Sequence, residues 1–236
     1  MLTALGKLER NQKVWRYMSF ARLVWLLQKK QLWFSRVDHL GDPWEISLAG
    51  DQLDHVIGRH PITPIAEAPR ESAIDRSERI IKGWRRKTYA NCWSASEHES
   101  HALWRVYCPT PEGVAIQTTL AKLQASVGDL PIYEVTYGIP GAAKQTPSLE
   151  ELATSKRPMF AYEHEVRVIH IIDSDAPSVS AGFGLPWDPE QTIESIRVYP
   201  GAGVSFMDTV TATGGTYAPS LTRAVVWSDM NAYPPF

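Results

Sequence analysis

The residues best suited to chemistry form the short run 162–167, with the sequence Tyr-Glu-His-Glu-Val-Arg. In a β-strand, side chains two residues apart lie on one face, about 6–7 Å apart along the strand. A strand here would place Glu163, Glu165 and Arg167 together. Two carboxylates that close repel, so the pKa of one should be raised unless Arg167 or another cation offsets it. One could then polarise a substrate hydroxyl while the other accepts a proton, although a purely structural Glu–Arg network would give the same pattern.

Three other groups of residues could carry chemistry. Arg16 lies between Trp15 and Tyr17, where a guanidinium could bind a phosphate through two hydrogen bonds or simply belong to an amphipathic strand. The segment 38–45 could form a ligand-binding loop. The third group consists of Cys92, His98, His101 and Cys108. Their spacing matches no common zinc site, so a core cysteine and a solvated histidine pair are expected instead.

Composition excludes several classes of protein. The chain has 236 residues, of which 44% are hydrophobic and 21% charged, as in an ordinary folded protein. Its formal charge of −2 gives no overall attraction to nucleic acid. The sequence shows no apolar run of membrane-spanning length and no signal-like N-terminus, and two cysteines cannot build a disulfide framework. We therefore expect a reduced, cytoplasmic protein that does not bind membranes.

Hydrophobic periodicity predicts strands mixed with short helices. Strands are predicted at 14–19, 32–37, 90–94, 114–119, 132–137, 164–172, 193–199 and 224–227, and helices at 20–30, 72–87, 102–107, 120–126 and 149–155. Ser19 is expected to cap the first helix, and Ser94 or Ser96 is expected to form a capping box before the third helix. Gly214-Gly215 is expected to form a turn. The fold class is α+β (mixed α/β), a single domain over 1–236 with a loop-rich insertion at 44–70.

Several blocks of the sequence resemble a bacterial and phage family known as domain of unknown function 2971. That family opens with a Lys/Arg-Tyr-x-Ser strand and a loop ending Asn-Asp-Pro-Phe-Glu, which resemble 16–19 and 41–45, with Gly41 in place of the usual Asn. Its Cys-x-Ser block and Trp-x-x-Tyr helix resemble 92–94 and 104–107. Its Tyr-Glu-x-Glu-x-Arg block matches 162–167. The family has no assigned activity to carry over.

The order of a strand with Arg, a helix, a strand and a late Glu-x-Glu is more distantly similar to the ADP-ribosyltransferases. This resemblance implies central, mostly antiparallel sheets with flanking helices, and NAD as substrate. It also implies that Arg16 orients NAD, that Glu165 is the catalytic carboxylate and that Glu163 activates the acceptor. Ser35 and Ser94 are the serines available in place of that superfamily's Ser-Thr-Ser. The expected NAD-binding residues are Arg16, Tyr17, Ser35, Ser94, Trp104, Tyr107 and Arg167.

Three functions follow as hypotheses from these observations. The first is NAD-dependent ADP-ribosyl transfer or NAD hydrolysis, as a toxin or an anti-phage effector, with a protein or nucleic acid as a possible acceptor. The second is a non-catalytic module that binds a nucleotide or a protein in a groove lined by some of the nine tryptophans. The third is a nuclease that holds Mg²⁺ through Asp42, Glu45, Glu163 and Glu165. The oligomeric state is left open.

Overall fold

The computed structural model describes residues 8–48, 73–138, 147–172 and 180–231. The described strands are β1 (Lys13–Ser19), β2 (Gln31–Arg36), β3 (Thr88–Ala95), β4 (Gly113–Thr119), β5 (Ile132–Glu134), β6 (Thr136–Tyr137), β7 (Ser155–Lys156), β8 (Glu165–Ile171), β9 (Gly182–Pro186), β10 (Ser195–Val198) and β11 (Val225–Trp227). The described helices are α1 (Phe20–Lys29), α2 (Ala73–Lys87), α3 (His101–Tyr107), α4 (Leu120–Val127), α5 (Leu149–Ala153), α6 (Pro189–Thr192) and α7 (Val204–Tyr217).

Nine of these strands form one sheet. Seven follow the order β11-β10-β4-β1-β3-β2-β9, while β8 pairs with β3 and β5 pairs with β8. The pairings are antiparallel except for β10 with β11. A small parallel sheet joins β6 to β7. The mixed α/β class and the mostly antiparallel sheet predicted from sequence are therefore confirmed.

Strand β3 changes partners along one of its edges. Its C-terminal end pairs with β1, where Ser94 lies opposite Trp15, and its N-terminal end pairs with β2, where Ala90 lies opposite Ser35. Its other edge pairs with β8 from Thr88 to Ser94. Because β1 and β2 diverge across residues 91–93, the sheet is split at its centre.

Helices cover both faces of the sheet. The amphipathic helix α1 buries Leu23, Leu26 and Leu27 in the main core, where it also meets α7. A second core lies under α3 and joins Trp104 to Tyr17 of β1. The first helix thus packs through one apolar face, and burial of such side chains supplies most of a helix's stability.

Three local predictions are wrong. Ser19 precedes α1, but its side chain makes no capping hydrogen bond. Helix α3 is capped by Ser100, whose hydroxyl accepts a hydrogen bond from Leu103 N, and not by Ser94 or Ser96. The predicted 132–137 strand divides into β5 and β6.

Gly214 and Gly215 do not form the predicted turn, because both lie inside helix α7. Two adjacent glycines favour a turn in isolation, but here Gly214 is buried close to Val225 and Thr222. Packing against the last strand therefore outweighs the weak helix propensity of glycine. Most of the predicted 44–70 insertion lies outside the described residues. None of the described helices combines the length and the apolar character needed to cross a membrane.

The helical position of Gly215 gives a first prediction. A methyl group added there would lie 3.6 Å from the Thr222 hydroxyl, an ordinary contact. Gly215→Ala should therefore raise the free energy of unfolding by about 0.5–1 kcal/mol, measured by urea denaturation, because alanine loses less conformational entropy in a helix.

Gly182 provides the contrasting control. A Cβ there would overlap the carbonyl oxygen of Phe34 and lie 2.7 Å from the Trp33 ring. Gly182→Ala should therefore destabilise the protein. A loss of stability in Gly215→Ala would show that Gly215 is not in a helix.

Candidate functional site

A cavity of about 380 Å³ lies at the central split of the sheet. We call it the carboxylate cavity. The residues that line it are Trp15, Arg16, Tyr17, Arg22, Ser35, His39, Leu40, Gly41, Asp42, Glu45, Ala90, Cys92, Trp93, Ser94, Leu103, Val106, Tyr107, Lys156, Phe160, Tyr162, Glu163, Glu165 and Arg167. Its volume falls within the range of about 300–1,000 Å³ that is usual for small-molecule sites. The split between β1 and β2 creates this space.

The two candidate carboxylates reach the cavity from different elements. Glu165 begins β8, whereas Glu163 ends a 3-10 helix over Pro158–Glu163. Between them His164 adopts a left-handed conformation with φ of 42°. The prediction that Glu163 and Glu165 share a strand face is therefore wrong, because the chain turns at His164. The turn nevertheless keeps both carboxylates beside one cation.

That cation is Lys156 of β7, which the sequence did not single out. Its Nζ donates a hydrogen bond to Glu163 Oε2 and another to Glu165 Oε2, the latter over 3.1 Å. Lys156, Glu163 and Glu165 are each at least 92% buried. The lysine therefore bridges two buried carboxylates that would otherwise repel each other.

Arg167 lies behind Glu165 and is fully buried. Its Nε and Nη2 donate to Glu165 over 2.9 and 3.0 Å, and its Nη1 and Nη2 donate to Glu45 over 2.7 and 2.8 Å. A fifth hydrogen bond runs from Nη1 to the Ala153 carbonyl. All five guanidinium N–H groups are thus paired. Together with Lys156, these residues form a cluster of two cations, Lys156 and Arg167, and three glutamates. With Glu163 ionised, the cluster carries one negative charge in excess.

The surroundings move the pKa values of the two carboxylates in opposite directions. Burial alone would raise the pKa of Glu165, but the attraction of Arg167 and Lys156 outweighs it and lowers the pKa to about 2. Burial raises the pKa of Glu163 above its usual value, although Lys156 and the Tyr107 hydroxyl oppose the shift. Glu165 is therefore held as an anion, while Glu163 is the better proton acceptor.

Arg16 lies on the opposite wall. Its guanidinium is 6.0 Å from the centre of the Trp93 ring, and burial, with a contribution from neighbouring Arg22, lowers its pKa to about 10. Among the described residues, neither Arg16 nor Arg22 forms an ion pair with a carboxylate. Two neighbouring guanidinium groups without an acidic partner favour the binding of an anion.

Most of the residues predicted to bind NAD line this cavity. Tyr107 donates to Glu163 Oε1 over 3.1 Å, and the Tyr17 hydroxyl accepts a hydrogen bond from Ser100 N at the start of α3. Ser35 and Ser94 lie on the two sides of the sheet's split. Trp104 does not line the cavity, because it packs against Tyr17 at 5.0 Å in the core below it.

The loop of residues 40–45 forms one side of the cavity. Asp42 makes two hydrogen bonds with Arg157, of 3.2 and 2.9 Å, and Arg85 donates to the carbonyls of Pro43 and Glu45. These contacts hold the loop so that the Glu45 carboxylate reaches Arg167. The segment therefore has a structural role that its sequence did not reveal.

The hypothesis of a Mg²⁺-dependent nuclease finds no support in this geometry. Within the described ranges, no group of three or more His, Cys, Asp and Glu side chains is placed to hold a metal ion. Asp42 pairs with Arg157 and Glu45 with Arg167, while Glu163 and Glu165 pair with Lys156. Because the protein's own cations already occupy these carboxylates, we do not propose the Mg²⁺-dependent nuclease.

Sequence reasoning missed Lys156, Arg22 and the role of Glu45. Lys156 belongs to a two-residue strand outside any recognisable motif, and Arg22 lies on the exposed side of α1. The Glu45–Arg167 pair joins residues 122 positions apart. One available signal was the hydrogen-bonding capacity of Arg167: a buried guanidinium has five N–H donors, more than one carboxylate can satisfy, which implies further acceptors.

Comparison with known proteins gives a structural likeness. No family model and no curated protein sequence matches the chain, so the resemblance to domain of unknown function 2971 remains a resemblance. The solved structure of Thermus sp. 2.9 DarT in complex with ADP-ribosylated ssDNA is similar over 99% of this chain and 100% of its own, with 13% identity and a TM-score of 0.45.

The Glu45–Arg167 pair gives a prediction about stability. Glu45→Ala should lower the free energy of unfolding by about 3–5 kcal/mol in urea denaturation, because it leaves a buried guanidinium with one carboxylate fewer. Glu78→Ala is the control, since Glu78 pairs with Lys82 on an exposed helix surface and should change stability little. Equal stability of the two variants would contradict the structural role of Glu45.

Proposed function

We propose that the carboxylate cavity binds NAD, cleaves the bond between nicotinamide and ribose, and passes ADP-ribose to an acceptor or to water. One observation carries the proposal. Glu163, Glu165 and the guanidinium of Arg16, which has no carboxylate partner among the described residues, all line a single cavity, although they lie far apart in the sequence. An anionic group at one side and a cationic group at the other suit a ligand that joins a reacting ribose to phosphates.

The chemistry requires stabilisation of positive charge. As the bond between ribose C1′ and the nicotinamide nitrogen breaks, its electron pair leaves with nicotinamide, and positive charge develops on C1′ and the ring oxygen. The low pKa of Glu165 keeps it ionised beside this charge, and a fixed anion in a buried site lowers the energy of that transition state. Arg167 and Lys156 hold the carboxylate in place.

Glu163 serves the second half of the reaction. The acceptor's oxygen or nitrogen attacks C1′ and must lose a proton as the new bond forms. Glu163 has a raised pKa and lies beside Tyr107, so it is placed to receive that proton. The two carboxylates would thus divide the work as their different pKa values require.

The acceptor would approach through the mouth of the cavity near α3. Val106, Tyr107 and Tyr162 line the cavity there and remain exposed over 42–53% of their surfaces. Exposed apolar side chains grouped at a cavity mouth favour contact with another molecule. A protein or a nucleic acid would both fit this surface.

A specific observation favours a second candidate, a nucleotide-binding module without catalysis. Both oxygens of Glu165 already accept hydrogen bonds from Arg167, and one also accepts from Lys156. A carboxylate neutralised by two cations stabilises positive charge less than a free one. In this case NAD would bind and remain intact.

We propose that this activity serves a toxin or an anti-phage effector. In such a role, ADP-ribosylation of a cellular target or loss of NAD would stop growth. Induced expression in a bacterial host tests this role, with the catalytic variants described next as controls.

Catalysis is tested by mixing pure protein with NAD and measuring free nicotinamide. Glu165→Gln and Glu163→Gln should each reduce its release about a hundredfold or more, because one loses the stabilising anion and the other the proton acceptor. Glu97→Gln, at an exposed site outside the cavity, should behave as the parent. Both cavity variants should also relieve growth arrest.

Circular dichroism and thermal unfolding establish that the variants are folded. NAD that binds the parent but is not cleaved would favour the binding module. Nicotinamide release unchanged in both folded Gln variants would overturn the catalytic assignment.

The Lys156 bridge predicts a shift in pH dependence. Lys156 lowers the pKa of Glu163, so Lys156→Met should raise that pKa and leave more of Glu163 protonated at a given pH. The acidic limb of the NAD-cleavage profile should then move to higher pH by about one unit or more. Lys156→Arg retains the cation and should shift the limb much less. Identical limbs in the parent and the Met variant would contradict this role.

A further inference from the structure

A second cavity of about 370 Å³ adjoins the carboxylate cavity. We call it the tryptophan cavity. Its lining residues are Arg16, Tyr17, Met18, Arg22, Trp25, Leu26, Trp33 and Ser35. Arg16, Tyr17, Arg22 and Ser35 line both cavities, so the two form consecutive parts of one cleft. The carboxylates lie at one end of the cleft and the indole rings at the other.

The two indole rings are held in a fixed arrangement. Trp25 of α1 and Trp33 of β2 meet edge to face, with ring centres 5.6 Å apart. Trp33 lies over Gly182 of the neighbouring strand, where a Cβ would come within 2.7 Å of its ring. The glycine therefore allows the indole to approach β9 closely, while 37% of Trp33 remains exposed. A rigid, partly exposed aromatic surface suits stacking against a planar ring.

The charge of this cavity is positive. Of its eight lining residues, Arg16 and Arg22 are cationic and none is acidic. The two guanidinium groups are near enough for Arg22 to help lower the pKa of Arg16, and among the described side chains they lack a carboxylate partner. An anion between them would relieve their mutual repulsion. A ligand that combines a planar ring with phosphates satisfies both features.

Another cavity of the described structure lacks this combination. It measures about 670 Å³ and is lined by Trp187 and two lysines. Lys30 pairs with Glu190 and Lys122 with Glu194, so their charges are already balanced within the protein. The unpaired arginines therefore distinguish the tryptophan cavity.

We infer that the tryptophan cavity binds the base of an adenine nucleotide and that Arg16 and Arg22 hold the phosphates next to it. This inference rests on the proposed function, because it places the adenosine part of NAD at the end of the cleft away from Glu163 and Glu165. Trp33 stacks on the base, and Arg22 joins Arg16 as a phosphate ligand. The binding of the adenosine and phosphate part requires no carboxylate and no cleavage.

Titration calorimetry with ADP, AMP, inorganic pyrophosphate and nicotinamide mononucleotide tests the inference without turnover. Trp33→Ala should weaken ADP and AMP binding about tenfold or more, because stacking on an aromatic ring is lost, and should leave pyrophosphate binding unchanged. Arg22→Ala should weaken ADP and pyrophosphate binding about tenfold or more, because charged hydrogen bonds are lost. Binding of nicotinamide mononucleotide should not respond to Trp33→Ala.

Matched controls come from residues that line neither cavity. Trp44→Ala removes an exposed indole that stacks on Arg157, and Lys29→Ala removes an exposed cation from the same helix as Arg22. Both should bind ADP as the parent does. Trp33→Phe retains an aromatic face and should recover most of the affinity that Trp33→Ala loses.

The outcomes separate this inference from the proposed function. ADP binding that depends on Trp33 and Arg22, without nicotinamide release, would support the nucleotide site and overturn catalysis. NAD cleavage with ADP binding unaffected by both substitutions would support catalysis and overturn the nucleotide site. ADP that binds no more tightly than pyrophosphate would also overturn the role of the indole rings.

Discussion

The buried guanidinium of Arg167 is the constraint on which the site depends. A fully buried cation must be surrounded by acceptors, and Arg167 has them in Glu45, Glu165 and the Ala153 carbonyl. Removing any of them would leave charge unpaired in a medium that solvates it poorly. The pairing therefore joins the loop before α2, the end of α5 and strand β8, and in doing so fixes the position of Glu165. The ion pair between Arg167 and Glu165 therefore both stabilises the fold and positions the proposed catalytic carboxylate.

The split of the sheet provides the space that this ion pair borders. Continuous pairing along β3 would fill the region with backbone hydrogen bonds and side chains. Because β1 and β2 pair with opposite ends of β3 and leave its residues 91–93 without a partner among the described strands on that edge, Arg16 and Ser35 face an opening, while β8 on the other edge supplies the carboxylate. Trp104 and Tyr17 support this arrangement from the core below. The cavity is thus a consequence of strand pairing, and the loop of residues 40–45 closes one side of it.

Charge changes sign along the cleft. The carboxylate end carries one excess negative charge, and the end beside the tryptophans carries two unpaired guanidinium groups. In a partly buried cleft, such separated charges act over longer distances than in water. A ligand with a cationic ring and ribose at one end, phosphates in the middle and a neutral base at the other would match both. In the function proposed here, the polarity of the cleft would also set the orientation of NAD.

The sequence by itself predicted the mixed α/β class, most of the strands and helices, and the run that contains Glu163, Glu165 and Arg167. Periodicity reports which face of an element is buried, and a dense group of charged residues is visible in one dimension. Eight of the nine predicted site residues line one cavity. Only the tertiary structure decided that the chain turns at His164 and that Gly214 lies in a helix. It also decided that Lys156 bridges the two carboxylates and that Glu45 is the second carboxylate bound to Arg167. These features depend on contacts between distant segments, where packing and charge neutralisation outweigh local propensity, and such contacts leave no periodic signal in the chain.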